Sequence, residues 1–406
     1  MSGAFLTFLA VLLFLAAQFR DPFAFTLLYF FGGVYLFSGL WQRRAIQGIG
    51  MTRRFTRRVF PGEKVQVELR IFQRGLLPVA WLHLQDGLPP QISPEGSFRR
   101  VISLMGRQAR TLTYELSPRE RGRYPVGPLR LQSGDFLGLR AVSRRELDAD
   151  YLTVYPHIVR LPNPRLISQS PLGTLAHRLP IFEDPSRPIG KRPYQDGDSL
   201  RRMDWKASAA TGRFQVRLYE PAIALGLMLA LNLDARAYPL LSRRDASELG
   251  ITVAASLAQW SIAHGQAAGL WAHGQLPADA ALAEPLVPVQ RGQAHAMHLL
   301  GVLAEIQSVE MTHSFADGMP PVLSRLPWGT TLAVITPQMD EALFALLFAA
   351  RRRGLQVVLL MCGDVPGVAD ARARAATAGF PFFYVPHVRD VAAILGAGWP
   401  HSVRFP

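Results

Sequence analysis

The chain has 406 residues, 49% of them hydrophobic, and its 44 Lys and Arg outnumber its 30 Asp and Glu to give a formal net charge of +14. This composition excludes a disordered chain, and the length favours two or three folded domains. The single cysteine, Cys362, excludes a disulfide framework or a cysteine-based zinc site within one chain. The positive charge suits an anionic partner, either a nucleic acid or the anionic face of a membrane.

The N-terminal residues 1–45 predict a two-helix transmembrane hairpin. A short apolar run, 4–18, precedes the run 23–41, which is long enough to cross the hydrocarbon core. The first run resembles a signal peptide but lacks a basic start and a cleavage pattern, and neither run has the polar face of a soluble hairpin. Arg20 and Asp21 are expected in the turn. Six arginines follow the second run, so the positive-inside rule places the later domains in the cytoplasm, at the cytoplasmic (inner) membrane; they are Arg43, Arg44, Arg53, Arg54, Arg57 and Arg58.

Residues 52–160 predict a β-sandwich-like domain of six to eight strands. In the stretch from Lys64 to Ile71, apolar and polar residues alternate, which is the pattern of a half-buried strand. Turn sequences such as "FPGE" and "YPVGP" separate similar stretches. No cluster of His or carboxylate residues with metal-ligand spacing occurs in this region, so it indicates a fold class and no chemistry.

Residues 221–406 predict an α/β domain with a doubly wound sheet. The apolar run 225–235 is typical of a strand covered on both faces, and helical and apolar stretches alternate after it. Ligands of such sheets bind at the carboxyl ends of strands, near the point where the strand order reverses. Asp234, Thr336 and Gly363–Asp364 follow predicted strands and mark this edge. The whole chain is therefore expected to be a membrane-anchored α+β multidomain protein.

A connector, 161–220, joins these two domains and contains the stretch "RPYQDGDSLRRMDWKASAATGRF". Asp198 is a suitable N-cap for a helix over 199–210, and Gly212 is a suitable stop. A structural joint with a buried Trp205 is the favoured interpretation, and a docking surface is the second. A catalytic site is the third, because no candidate nucleophile stands beside a histidine there.

The same stretch resembles the signature of the bacterial domain-of-unknown-function 58 family, in the order Tyr194-x-x-Gly197-Asp198-x-x-Arg201-x-Met203-Asp204-Trp205-Lys206-x-Ser208-Ala209. The resemblance implies a C-terminal domain similar to von Willebrand factor type A. It also implies a MoxR-type AAA+ ATPase as partner, in assembly, metalation or stress responses, alongside other von Willebrand A or transglutaminase-like membrane proteins. No enzymatic activity is implied. The expected interaction residues are Tyr194, Gly197, Asp198, Arg201, Arg202, Asp204, Trp205 and Lys206.

The chain departs from the metal-binding pattern of that domain type. An Asp-x-Ser-x-Ser motif would supply hard oxygen ligands to Mg²⁺, but here the segment reads Asp234-Ala235-Arg236-Ala237-Tyr238. Asp234 is thus a degenerate metal-site position, expected to pair with Arg236 or another cation, or to cap the following loop. No metal and no cofactor are predicted.

Other signatures are also missing. The sequence contains no phosphate loop, dinucleotide fingerprint, zinc-protease pair or nucleophile elbow. The spacing of five histidines predicts no single metal site; they are His264, His273, His295, His298 and His313. The scattered arginines, without interleaved aromatics, argue against nucleic acid. The favoured hypothesis is a non-enzymatic, membrane-tethered interaction module, and the alternative is a hydrolase or metal-dependent enzyme that uses strand-end carboxylates.

Overall fold

The computed structural model describes residues 2–19, 22–134, 143–162, 183–195, 203–221, 226–277 and 284–396. Its contacts divide the chain into two units, Met1–His157 and Ile158–Pro406. The expected turn at Arg20 and Asp21 lies outside the described residues, as do 163–182 and 196–202 of the connector.

The chain begins with two helices, α1 (Ser2–Phe19) and α2 (Pro22–Gln47). The ring centroids of Phe5 and Tyr35 lie 5.6 Å apart and those of Phe8 and Phe31 lie 5.5 Å apart, so the two helices pack side by side. Among the described residues, α2 has the length and composition of a membrane span, and the apolar helical stretch of α1 is shorter. The structure therefore supports one candidate spanning helix where the sequence predicted two.

The last turns of α2 belong to the fold of the first unit. The Trp41 indole N–H donates to the Pro78 carbonyl at 3.1 Å, and the Gln42 amide donates to the Ser133 carbonyl at 2.9 Å. Ala45 is buried in the same hydrophobic core as Ile49. Earlier in α2, several large apolar side chains are exposed; they include Phe23, Tyr29, Phe30 and Phe37. One helix thus carries both an exposed apolar half and a half that packs as core.

Ten strands follow in the described part of this unit. They are β1 (Ile49–Arg54), β2 (Arg58–Val59), β3 (Val65–Gln73), β4 (Val79–Gly87), β5 (Ser97–Leu104), β6 (Ala109–Leu116), β7 (Gly122–Val126), β8 (Leu129–Ser133), β9 (Ser143–Leu147) and β10 (Asp150–Val154). The sequence predicted six to eight strands. The count was too low because a two-residue strand such as β2 is too short to show the alternation of apolar and polar residues. The alternation predicted around β3 is confirmed, because Val65, Val67, Leu69 and Ile71 are buried.

These strands form three sheets, in the orders β1-β3-β6, β2-β10-β7 and β5-β4-β8-β9. One core joins apolar side chains of β1 and β3 to those of β4, β5 and β8. A second core joins β2, β3, β6, β7 and β10. Side chains from different sheets thus share each core, which is how sheets stabilise one another when they pack face to face.

A buried arginine connects four strands of this unit. Nη2 of Arg53 on β1 lies 2.7 Å from a carboxylate oxygen of Asp86 on β4, and both side chains are fully buried. Nη1 donates to the Val126 carbonyl on β7 at 2.8 Å and lies 3.3 Å from Asp150 on β10. Tyr114 donates its hydroxyl to Asp86 at 2.6 Å. Burial raises the pKa of Asp86, although the charge of Arg53 and the bond from Tyr114 lower it, so desolvation outweighs the pairing.

Removal of Arg53 should therefore be strongly destabilising. Arg53→Ala leaves the buried carboxyl group of Asp86 without its cation, and we expect a loss of about 3–5 kcal/mol in the free energy of unfolding. Lys64→Ala is the control, since it removes an exposed pair with Glu115 worth about 0–1 kcal/mol. Denaturant unfolding of both variants measures the difference, and equal losses would contradict a structural role for the buried pair.

The packing of α2 also predicts the result of N-terminal truncation. A chain that starts at Thr52 loses half of β1 and the core residues Ala45 and Ile49. We expect its first unit to unfold at lower denaturant than that of a chain starting at Ser38, which keeps these residues. Denaturant melts monitored by far-UV circular dichroism compare the two, and identical midpoints would mean that the end of α2 does not stabilise the sheets.

The second unit begins with the pair β11 (Glu183–Pro193) and β12 (Gln215–Pro221), with helix α3 (Trp205–Thr211) between them. Its main sheet contains β13 (Gly226–Asn232), β14 (Ala267–His273), β15 (Leu286–Gln290), β16 (Thr331–Ile335), β17 (Gln356–Cys362) and β18 (Phe382–Val385). The helices around it are α4 (Arg243–Ala263), α5 (Gln293–Glu305), α6 (Phe315–Gly318), α7 (Pro320–Ser324), α8 (Glu341–Arg352), α9 (Val368–Ala378) and α10 (Val391–Gly396). Short 3-10 helices lie at Ala235–Ala237 and Val388–Asp390.

The main sheet has the strand order β15-β14-β13-β16-β17-β18. Counted from β13, this is the order 3-2-1-4-5-6 of doubly wound sheets. All pairings are parallel except that of β14 with β15. Every residue of β13 is buried, as its continuous apolar run predicts. Met228 packs in a core with Leu343 of α8, whereas Leu231 on the opposite face lies against Gly250 of α4. Helices therefore cover both faces, and the order reverses between β13 and β16.

Candidate functional site

The carboxyl edge between β13 and β16 is built from polar side chains that follow these strands. The Asn232 amide donates to the Thr336 hydroxyl at 3.2 Å and its side-chain oxygen accepts from the Asp234 backbone at 3.0 Å. A cavity of about 190 Å³ opens at this edge. Its polar lining comprises Asn232, Asp234, Arg236, Ser314, Thr336, Gln338 and Asp340. The topology thus brings together Asp234 and Thr336, which the sequence predicted at strand ends.

Asp234 forms an ion pair with Arg236. The guanidinium donates from Nη2 to Oδ2 at 2.8 Å and from Nε to the same oxygen at 3.2 Å. The backbone N–H of Arg236 donates to Oδ1 at 3.0 Å, so Asp234 also caps the short helix Ala235–Ala237. Burial alone would raise the pKa of Asp234, but the hydrogen bonds from Arg236 and Met311 outweigh it and lower the pKa. The carboxylate of Asp234 therefore pairs with the Arg236 guanidinium and holds the short helix in place.

The second carboxylate at this edge is also engaged. Asp340 accepts a hydrogen bond from the Leu343 backbone at 2.8 Å and caps α8. Nucleophilic chemistry requires an activating base beside the nucleophile. Hydrolysis with strand-end carboxylates would first have to release Asp234 from Arg236 and Asp340 from its cap.

The signature segment is held together by Asp204. Its carboxylate accepts from the Ala207 backbone at 3.1 Å and caps α3. It also lies 3.0 Å from Nζ of Lys191 on β11 and 3.3 Å from Nε of Arg217 on β12. The hydrogen bond from Ala207 is the main cause that lowers the pKa of Asp204 to about 2, with Lys191 and Arg217 adding to it. One buried carboxylate thus connects the helix to both strands of the pair.

The predicted helix 199–210 needs two corrections. The helix starts at Trp205, because Met203 pairs with Val216 and the Asp204 backbone N–H donates to the Gln215 carbonyl at 2.8 Å. Asp204 is the N-cap in place of Asp198. The stop at Gly212 is confirmed by its left-handed φ of 66°. Gly197, Asp198, Arg201 and Arg202 lie outside the described residues.

The prediction of a buried Trp205 is wrong. Its side chain is 65% exposed, and Phe214 beyond the helix is 60% exposed. The inner face of α3 is occupied instead by Ser208, whose hydroxyl donates to the Asp204 carbonyl at 2.8 Å and accepts from the Gln215 backbone at 2.9 Å. Tyr194 is half-buried against Phe214, with ring centroids 6.4 Å apart, and Lys206 is exposed.

The structure also brings together three residues that sequence spacing did not connect. His273 ends β14, Glu284 precedes β15 and His313 precedes α6. Nε2 of His313 lies 2.7 Å from Oε1 of Glu284, and Nδ1 of His273 contacts the same oxygen. Burial raises the pKa of Glu284, but the bond and charge of His273, and then His313, lower it overall. A short metal-binding motif could not reveal this group, because Glu284 lies 11 positions after His273 and His313 lies in a later segment of the chain.

Comparisons with known proteins agree with the resemblance of the signature. Residues 190–368 match the family model described as "Protein of unknown function DUF58". Over 310 residues the chain is 26% identical to the uncharacterized protein YeaD of Bacillus subtilis (strain 168), covering 74% of this chain and 73% of that protein. The matched range contains α3, Asp234 and the three residues His273, Glu284 and His313.

Solved structures give only weak likenesses. The CARDB domain of the PF1109 protein from Pyrococcus furiosus, a complex with di-metal ions, has 12% identity, a TM-score of 0.19, and covers 26% of this chain and 91% of its own. Proximal thread matrix protein 1 from the mussel byssus has 8% identity, a TM-score of 0.33, and covers 43% of this chain and 46% of its own. Neither likeness supports a conclusion about fold or function.

The low pKa of Asp204 predicts a pH-dependent effect of its removal. Because the folded pKa of about 2 lies below the usual 3.8, the ionised group stabilises the fold above pH 4, and this contribution disappears as pH falls toward 2. Asp204→Asn should therefore lower the melting temperature at pH 7, and its difference from the unsubstituted chain should shrink between pH 4 and pH 2.

Melting curves at pH 7, 4 and 2 test this, with Glu341→Gln as control. Glu341 pairs with Arg374 at the surface, where such pairs contribute little, so its melting temperature should stay close to that of the unsubstituted chain. A difference for Asp204→Asn that is constant across this range would mean that its charge does not stabilise the joint.

Proposed function

We propose that this chain is a membrane-tethered, non-enzymatic docking module for a cytoplasmic MoxR-type AAA+ ATPase. The partner class is the one that the family resemblance implies, for assembly, metalation or stress responses. The docking surface that we propose is centred on Trp205 and includes Lys206, Arg213 and Phe214. We call it the signature surface.

The exposure of Trp205 on a fixed scaffold is the observation that supports this proposal most. Its helix is held by Asp204 and Ser208, both of which are buried. A tryptophan that is 65% exposed contributes little to folding, whereas tryptophan is among the residues that dominate binding energy at protein interfaces. A rigid support reduces the ordering entropy that binding would otherwise cost.

The charge of the signature surface indicates an acidic partner. Lys206 and Arg213 are both exposed, while the carboxylate of Asp204 beneath them is buried and paired with Lys191 and Arg217. Among the described residues of α3 and the turn after it, the exposed charges are therefore cationic. Such a patch accelerates the encounter with an acidic protein face and selects against basic ones.

The sheet edge favours docking over metal-dependent or hydrolytic chemistry. The doubly wound sheet is compatible with the von Willebrand A-like domain that the resemblance implies. Arg236 places a cation where a Mg²⁺ ion would bind, and an arginine next to Asp234 opposes a divalent ion by charge repulsion. This supports a scaffold that has lost the metal-dependent adhesion chemistry of its domain type.

Helix α2 supports the tether. Its exposed aromatic residues require either lipid or another apolar surface. The arginines after it favour a cytoplasmic position for both later units. Two spanning helices in the inner membrane remain part of the proposal, with α1 as the shorter of the two.

The proposal predicts that Trp205→Ala weakens partner binding while the fold survives. Trp328→Ala is a matched control, because Trp328 is 58% exposed but lies outside the signature surface. We expect at least a tenfold weaker affinity for the AAA+ ATPase with Trp205→Ala, since loss of an interface hot spot costs about 2 kcal/mol or more. Pull-down with the detergent-solubilised chain, followed by titration with the captured ATPase, measures both variants.

The controls separate docking from folding. The melting temperature of Trp205→Ala should match that of the unsubstituted chain, and Lys206→Glu should weaken binding most at low salt. Unchanged ATPase binding in Trp205→Ala, together with a lowered melting temperature, would contradict docking. It would mean that Trp205 stabilises the fold instead.

A further inference from the structure

The group His273, Glu284 and His313 has the composition of a metal site for a borderline transition cation. One nitrogen from each imidazole and one carboxylate oxygen lie within 4.8 Å of one another. Imidazole ligands favour Zn²⁺ and its neighbours, whereas Mg²⁺ and Ca²⁺ prefer all-oxygen sets. Two histidines and one glutamate are a known ligand set of zinc proteins, in which the fourth position stays open for water or another ligand.

The buried imidazole of His273 is a second, independent observation. Its side chain has no exposed surface, and its Nε2 finds no hydrogen-bond partner among the described residues. Burial of a polar atom without a partner is unfavourable, so an apolar residue would serve packing better at this position. The other ring nitrogen, Nδ1, contacts Glu284, so the buried imidazole holds this nitrogen within the group.

The backbone and its surroundings also converge on this group. Glu284 has a left-handed φ of 69°, which is uncommon for a non-glycine residue and occurs often at functional positions. Gly318 lies directly beside the ligand atoms, since a Cβ there would be 3.1 Å from both Oε1 of Glu284 and Nε2 of His313. A side chain at this position would make a tight contact with these two atoms, so the glycine leaves more room beside them.

The distances suit a cation after a small adjustment. In a tetrahedral zinc site with bonds of about 2.0–2.1 Å, neighbouring ligand atoms are roughly 3.3 Å apart. The present 2.7 Å between His313 and Glu284 would open by roughly 0.6 Å as a cation replaced the shared proton. His313 is 41% exposed, so its side chain can move by this amount without disturbing the core.

We propose that His273, Glu284 and His313 bind one Zn²⁺ or a similar divalent transition cation. The ion would join the end of β14, the residue that precedes β15 and the segment before α6. The site uses none of the side-chain atoms that pair Asp234 with Arg236, although the Arg236 guanidinium also donates to the His313 carbonyl at 3.4 Å. It supplies the metal-binding capacity that the sequence analysis did not predict for this chain.

Zinc binding by the full chain tests the proposal. The 406-residue chain is purified in detergent without a histidine tag, stripped with chelator and dialysed against graded ZnCl₂, and bound metal is measured by mass spectrometry. We expect one high-affinity Zn²⁺ per chain that excess MgCl₂ does not displace. Substitution with Co²⁺ should give the visible absorption of a tetrahedral site with nitrogen and oxygen ligands.

Three variants connect the metal to these residues. His313→Ala and Glu284→Gln should each weaken Zn²⁺ binding by more than about tenfold, since even the loss of an outer-shell partner costs about 10- to 100-fold. His298→Ala removes an exposed histidine on α5 and should bind like the unsubstituted chain. Glu284→Gln preserves shape, so it remains informative if His313→Ala unfolds.

Two results would overturn the proposal. One is a folded, unsubstituted chain that binds no Zn²⁺, which would leave the group as a hydrogen-bonded cluster only. The other is equal Zn²⁺ affinity in the unsubstituted chain, His313→Ala and Glu284→Gln, which would assign the metal to surface histidines.

Discussion

The ion pair between Asp234 and Arg236 determines what the carboxyl edge of the main sheet can do. Doubly wound sheets present their ligand sites where the strand order reverses, and here that position holds a carboxylate already neutralised by its neighbour two residues on. The pair is built into a helical turn, because the Arg236 backbone and side chain both donate to Asp234. A cation could compete only by displacing a covalently tethered one.

Ion pairs of buried carboxylates also occur in other parts of the chain. Arg53 neutralises Asp86 within the first unit, and Lys191 and Arg217 neutralise Asp204 in the signature segment. In each case a buried carboxylate draws together elements that are distant in sequence. Carboxylates used in this way hold structural elements together, so these three groups are not free to act as an acid or a base. Glu284 differs, because its partners are two imidazoles, which can exchange a proton for a metal ion.

Features that depend on local sequence were predictable. The alternation in β3, the continuous apolar run of β13 and the glycine stop of α3 all follow from the periodicity and backbone preferences of a few adjacent residues. The N-cap of α3 was not predictable, because Asp198 and Asp204 are both residues of a type that caps helices. The pairing of Met203 and Asp204 with β12 makes the helix start after Asp204. The exposure of Trp205 was also missed, since an amphipathic helix can be read with either face inward when it is only 7 residues long.

Non-local contacts explain the remaining differences. His273 and His313 meet only because β14 and the segment before α6 end at the same edge of the sheet, a consequence of topology that spacing in the chain does not encode. The last turns of α2 likewise become core because Trp41 donates to the carbonyl just before β4 and Gln42 donates to the last carbonyl of β8. A helix that is exposed and apolar at one end and integrated into a sheet domain at the other has no flexible linker between the two environments. Any membrane that holds α2 therefore also fixes the orientation of the sheets of the first unit that pack on it.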